Sequence, residues 1–263
     1  MIDADAQLHA AAVIEPGAVI GAGCVVGPFC AVGPEVRLAE GVTLHSHVAL
    51  TGQTEIGEGT EIFPFASIGA IPQDKKFAGE KTRLVIGKRN RIREGVTMNT
   101  GTEGGGGVTR VGDDGLFLAN SHIAHDAQVG DRVVMVNCAS LAGHCVVGDD
   151  VIIGGLSGVH QFVRIGRGAI IGAGTMVTHD VIPYGLVHAA RGELAGLNLV
   201  GLKRSGVPKQ EITALRAAYQ ALAQGEGSFH ERAERLSSDQ SKYVRDVVEF
   251  VLGASDRSFL TQG

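Results

Sequence analysis

An aliphatic residue recurs at every sixth position over most of this chain, and that spacing limits its possible folds more than any other feature. Ile2, Leu8, Ile14, Ile20, Val26, Val32, Leu38, Leu44, Leu50, Ile56, Ile62 and Ile68 form an unbroken series. Ile86, Ile92 and Met98 resume it in phase, and a second series runs from Val111 through Phe117, Ile123, Val129 and Met135 to Val177. Neither a helical period of 3.6 nor simple alternation produces a repeat of six. A hexad holds one short strand and one corner, and three such sides close a triangular coil of eighteen residues. Stacked coils, about 4.8 Å apart, pair their backbones and pool the aliphatic positions into one continuous core. A chain without tryptophan and with 5% aromatic residues suits a core of small side chains. Glycine often follows the aliphatic residue, as at Ile20-Gly21, Val26-Gly27 and Val147-Gly148, and is expected to ease the corner.

The repeat breaks twice, over residues 69–85 and 99–110, and both stretches are read as loops leaving one face of the solenoid. Gly104–Gly107 falls in the second and is read as a flexible tether, because no Lys-Ser/Thr follows to make a phosphate loop. The repeat ends near residue 190, so the chain divides into a coil over 1–190 and a helical unit over 191–263 that caps it. Pro208 opens an amphipathic helix running to Ala223. Ser228 and Glu231 read as a capping box, and a further helix spans Lys242 to Leu252 and stops at Gly253.

The net charge of −5 argues against a nucleic-acid binder. Between Lys75 and Arg93, however, eight basic residues meet only Glu80, which reads as either a solvated loop or a dock for an acidic partner. Cys24, Cys30, Cys138 and Cys145 form no metal-binding pair and read as buried small hydrophobes in a reducing compartment. The N-terminus lacks a signal-peptide pattern and no run is long enough to span a membrane, so a cytoplasmic location is expected.

Positions eighteen apart share a column of the coil. Ile123, Leu141 and Val159 begin the same side of three successive turns, so His125, His144, His160 and Gln161 fall in one strip, with His122 just before it. Imidazoles titrate near neutrality and suit general-base work. Ser157 is not set in a nucleophile elbow, which favours direct transfer over a covalent intermediate. Asp126 can orient His125 only if the two neighbours lie at a bend.

The stretches Gln73-Asp74-Lys75-Lys76-Phe77-Ala78-Gly79-Glu80-Lys81-Thr82-Arg83, Arg89-Asn90-Arg91-Ile92-Arg93-Glu94, His122-Ile123-Ala124-His125-Asp126, Ala142-Gly143-His144, His160-Gln161-Phe162 and Gly201-Leu202-Lys203-Arg204 bring a family into view. Over essentially its whole length the chain resembles the acyl-[acyl-carrier-protein]–UDP-N-acetylglucosamine O-acyltransferases of lipid A synthesis. The resemblance implies a left-handed parallel β-helix with a C-terminal helical domain. It implies a cytoplasmic homotrimer with sites at subunit boundaries, no metal or other cofactor, and acyl carrier protein and UDP-N-acetylglucosamine as substrates. By the same resemblance His125 is the base acting on the sugar 3-hydroxyl, Asp126 supports it, and the Gly143 N–H stabilises the oxyanion. Asp74, Lys76, His122 and His144 would hold acyl group and sugar, while His160, Gln161, Asn198 and Arg204 face the nucleotide.

Family members commonly carry His-Arg-Gly-Thr where Asn99-Thr100-Gly101-Thr102 stands, an acid at Val200 and an arginine at Ser205. These departures leave two acceptors open, a 3-hydroxyl or a 3-amino sugar. Ala173, where some members have glycine, implies a slightly shorter acyl pocket. The related N-acyltransferase shares the hexads but usually has an extra N-terminal domain, whereas the hexads here begin at Ile2. A zinc hydratase needs three histidines converging on one ion. A noncatalytic trimeric scaffold leaves the histidine strip without a purpose.

Overall fold

A computed structural model describes residues 1–188, 190, 192–224, 226–255 and 257–260. The hexads form strands mostly two residues long, such as Val19–Ile20, Val25–Val26 and Ala31–Val32. Each pairs in parallel with the strand three places on, and with two further strands from the C-terminal part these build, among the described residues, three sheets of eleven, nine and eight strands. The result is a left-handed parallel β-helix. Val26 opposes Leu44 and Val129 opposes Val147, a register of eighteen. From Ile20 to Ile68 every sixth residue is at most 2% exposed. Ile2 and Leu8, in a first coil with a neighbour on one side only, remain 48% and 38% exposed.

The loops are shorter than the breaks in the repeat suggest. Ser67–Ala70 and Arg83–Ile86 are strands, which confines the first loop to 71–82. Thr97–Asn99 and Val108–Val111 confine the second to 100–107. Glu61 opposes Arg91, thirty residues away, so the first insertion is twelve residues, or two hexads. Phase in the sequence is therefore kept while the chain advances by one side only. Ile68 joins the nine-stranded sheet beside Leu50, and Ile86 joins the eight-stranded sheet beside Ile56.

Glycine has a different task from the one its position in the repeat suggests. A Cβ on Gly21 would stand 2.8 Å from the Ala39 carbonyl carbon, and one on Gly27 2.9 Å from that of His45. These glycines permit close stacking of successive coils. The left-handed turn falls two residues later, often on larger residues: Phe29, His47, Phe65, Asp126, His144 and Phe162 have φ of 59–66°. The first corner position makes little demand on its N–H, and Pro16, Pro28, Pro34 and Pro64 all occupy it.

The C-terminal part is not wholly helical. Gly185–His188 extends the eleven-stranded sheet, and Glu193–Leu197 folds back on it antiparallel. Within that strand Leu194 is buried between exposed Glu193 and Ala195, and a shift of register opposite Leu186 and Val187 accompanies the burial of Leu197, three residues on. Residue 191, where the helical unit was expected to begin, lies outside the described residues. Among the described residues four helices follow: α1 (Leu199–Arg204), α2 (Lys209–Gln224), α3 (Phe229–Glu234) and α4 (Lys242–Leu252). Ser228 and Glu231 form the reciprocal cap of α3.

Contacts at Asp180 and Tyr184 help fasten this part to the coil. Asp180 is fully buried and accepts from the Arg164 backbone N–H at 2.8 Å, Arg164 Nε at 2.7 Å and Ser255 Oγ at 2.6 Å. The Tyr184 hydroxyl donates to Asp246 of α4, and burial, reinforced by that carboxylate, pushes the phenol pKa well above its usual range.

Candidate active site

His122 and Ile123 form a strand of the nine-stranded sheet, and the chain turns at His125-Asp126 before entering the eight-stranded sheet. Asp126 has φ 61°, a left-handed conformation that lets two successive side chains meet. His125 Nδ1 lies 2.8 Å from Asp126 Oδ2. A carboxylate only accepts, so Nδ1 carries the proton and Nε2 presents a lone pair. Asp126 also accepts from the Thr102 N–H at 2.8 Å and the Thr102 hydroxyl at 2.6 Å, and its own N–H donates to Thr109 Oγ1. In the sequence Thr102 stands out only within the Asn99-Thr100-Gly101-Thr102 stretch and carries no assigned role, since nothing in the repeat brings the second loop to this corner.

That loop is no slack tether. Cβ atoms on Gly101 and Gly105 would stand 2.8 Å and 2.4 Å from Asp126 Oδ1, so these glycines let the loop close over the carboxylate. Gly143 lies directly against the imidazole, where a Cβ would be 2.5 Å from His125 Cε1. The Gly143 N–H has no protein acceptor among the described residues, as at the proline-bearing corners.

His144 occupies the next coil. Its ring meets that of His125 edge-on, with centroids 5.0 Å apart, and stacks flat on Phe162 at 4.4 Å. Burial, with His125 adding to it and Asp126 opposing, lowers the His144 pKa. The charges of Asp74 and Lys76, on the first loop, also reach His144. His122 Nδ1 is 2.7 Å from Thr97 Oγ1, and its pKa is lowered by burial and then by His125. His122, His125, Gly143 and His160 line one cleft with Gln73, Leu141, Ala142, Val159, Met176 and Val177, so its walls are largely apolar. His160 and its neighbour Gln161 are exposed, and of the two only His160 lines the cleft.

Asn198 and Arg204 stand elsewhere. With Arg167, Val200, Ser205 and Tyr243 they line a second cleft, on another edge of the prism. The Asn198 amide caps α1 by accepting from the Gly201 N–H, and it donates to the Gly168 carbonyl. Ser205 Oγ donates back to the Gly201 carbonyl, and Val200 is 61% exposed. Ala173 is exposed at a different corner and does not line the histidine cleft of a single chain. Asn99 is buried, and its amide holds the start of the first loop through the carbonyls of Ala70 and Ile71.

Other expectations change with the side chains in place. The basic run is not one patch: Lys88 pairs with Glu58, Arg89 with Asp114, Arg91 with Glu61 and Arg93 with Glu94, all within 3.3 Å. Cys24, Cys30 and Cys145 are buried, but Cys138 takes an exposed left-handed corner. His125, Asp126 and His144 offer ligand atoms within 4.8 Å of one another. The Asp126 oxygens are already occupied by Thr102 and His125, and this disfavours a metal at that point. Among the described residues no helix is long and apolar enough to cross a membrane.

Residues 144–179 match the family of bacterial transferase hexapeptide repeats, and residues 180–260 match domain 2 of UDP-N-acetylglucosamine O-acyltransferase. The chain is 67% identical over 200 residues to the acyl-[acyl-carrier-protein]–UDP-N-acetylglucosamine O-acyltransferase of Paracoccus denitrificans, covering 76% of each chain. It is 48% identical to the enzyme of that name from Rhizobium johnstonii, over 98% of this chain and 95% of that one. The solved structure of LpxA from Acinetobacter baumannii superposes with a TM-score of 0.94 at 36% identity, covering 97% of this chain and 99% of that one.

Proposed function

The chain belongs to the acyl-[acyl-carrier-protein]–UDP-N-acetylglucosamine O-acyltransferase family, and from that premise we propose that it transfers a 3-hydroxyacyl chain from acyl carrier protein to position 3 of UDP-N-acetylglucosamine, the first step of lipid A biosynthesis. The observation that carries this reading is the His125–Asp126 pair lying over Gly143 in a cleft with apolar walls. His125 Nε2 removes the proton of the sugar 3-hydroxyl as that oxygen attacks the thioester carbonyl. Asp126 holds the ring and stabilises the imidazolium that forms. The Gly143 N–H receives the developing oxyanion. Collapse of the tetrahedral intermediate expels the thiolate of the carrier's prosthetic arm, which takes the proton back from His125. His122 and His144, their pKa values lowered by burial, remain neutral and place little positive charge beside the base. Asp74 and Lys76 contact acyl group and sugar from the first loop, and His160 and Gln161 meet the nucleotide side.

The assembly in this reading is a homotrimer. Phe29 and Phe65, on either side of His47 in one corner column, are 61% and 67% exposed, and Leu156, further along the same column, is 70% exposed; these apolar groups suit contact with another copy of the chain. Sites that straddle two copies would unite the histidine cleft of one with the Asn198 and Arg204 cleft of the next. Four free thiols fit a reducing, cytoplasmic setting. The test is transfer from hydroxyacyl carrier protein to UDP-N-acetylglucosamine, run beside its 3-amino analogue, with light scattering for the assembly. Turnover with the hydroxyl acceptor, lost in His125→Ala, is expected. A parent enzyme inactive on that acceptor would overturn the reading.

A further inference from the structure

The C-terminal tail reaches the histidine cleft. Ser255, Ser258 and Leu260 are tied to the last coil: Ser255 Oγ donates to Asp180, the Asp180 N–H donates to the Ser258 carbonyl, and the Leu260 N–H returns to the Asp180 carbonyl. Ser255 Oγ also accepts the Arg257 N–H at 3.0 Å, which fixes where that side chain starts. From there an Arg257 guanidinium nitrogen lies 3.0 Å from His160 Nδ1 and 3.0 Å from the Gln161 carbonyl.

A guanidinium donates and never accepts. His160 Nδ1 must therefore offer its lone pair to Arg257, which places the ring proton on Nε2. We propose that Arg257 is a positioning residue that sets His160 as a hydrogen-bond donor toward the bound substrate. The inference rests on the reading of this cleft as the acyl-transfer site. His125 and His160 then carry opposite tautomers in one cleft. A carboxylate makes the first an acceptor at Nε2, and a guanidinium makes the second a donor at Nε2. The alternative state of His160 is also at hand: the Gln161 carbonyl stands 3.3 Å from Nδ1 and would accept a proton there. Arg257 occupies both groups and blocks that arrangement.

The experiment compares parent, Arg257→Met, Arg257→Lys and His160→Ala enzymes as intact chains. Nitrogen-15 imidazole shifts assign the His160 tautomer, and kcat and KM are measured for both substrates. The parent should show Nδ1 unprotonated, and Arg257→Met should move the proton to Nδ1 and lower kcat/KM by about tenfold, the worth of one hydrogen bond. Arg257→Lys, which keeps a donor that cannot accept, should restore the parent tautomer. The proposal is overturned if parent His160 carries its proton on Nδ1, or if Arg257→Met leaves the shifts unchanged. If His160→Ala loses activity while Arg257→Met does not, only the role of Arg257 falls. If both turn over like the parent, the assignment of His160 to the substrate falls with it.

Discussion

His125 donates through Nδ1 to the carboxylate of Asp126, its immediate neighbour, at 2.8 Å. In a strand the two side chains would point to opposite faces, and only the left-handed φ at Asp126 brings them together. His125→Ala removes the base and should lower kcat by about 10²-fold or more. Asp126→Asn can donate to Nδ1 and so favours the opposite tautomer, with a loss of similar size. Steady-state rates against unchanged circular dichroism check both, and an Asp126→Asn enzyme with parental kcat would remove the carboxylate from the mechanism.

Adjacent glycines of the second loop should behave differently. A Cβ on Gly105 would meet Asp126 carboxylate atoms at 2.1–2.4 Å, whereas one on Gly104 meets nothing within 4 Å. Gly105→Ala should push Asp126 off His125 and cost turnover roughly tenfold or more, while Gly104→Ala stays near parental. Equal activity in the two variants would contradict the packing of the loop over the carboxylate.

Gly143→Ala probes the same ring from below. The new Cβ would lie 2.5 Å from His125 Cε1 and 2.7 Å from Nε2. The backbone there tolerates alanine, so the fold should persist while kcat falls about 10²-fold as the base is displaced. A crystal structure of the variant with His125 unmoved would refute this explanation.

The coil was legible because its repeat is carried by side chains that must face inward, from Ile20 through Val177. The histidine strip followed from the eighteen-residue ruler. The contact of Thr102 with Asp126 was not legible because it is made by a loop that the repeat does not place. The antiparallel strand Glu193–Leu197 was missed because its five residues are interrupted by a register shift that sets its buried leucines three apart, a spacing that does not announce a strand. Arg257 touches His160 across ninety-seven positions, and no local pattern announces such a contact.

Acid should destabilise the fold in a defined window. Burial, and then His125, lowers the His122 pKa, and burial lowers that of His144. In the unfolded chain both imidazoles take up protons near pH 6.5, while in the folded chain they resist until lower pH. The unfolded state then binds more protons, so unfolding free energy falls as pH drops below about 6.5. Melting temperatures from pH 8 to 5 should decline on the acid side. His122→Gln should decline less steeply, and parallel curves for parent and variant would dismiss His122 as a contributor.

The junction between coil and helices should be governed by Asp180. Its carboxylate is fully buried and accepts from the Arg164 main chain, the Arg164 guanidinium and Ser255. The Arg164 guanidinium packs over Phe250, 4.5 Å from the ring centroid. Asp180→Ala leaves that cation largely buried without its anion, a change that costs on the order of 3–5 kcal/mol. Replacing both partners with apolar residues costs less, because no unpaired charge remains. Asp180→Ala should therefore lower the melting temperature strongly, and Asp180→Ala with Arg164→Met should recover part of the loss. Because Asp180 also holds the tail that carries Arg257, the single variant should lose activity below its melting point as well. Strictly additive destabilisation in the double variant would show that the ion pair is not what couples the two parts.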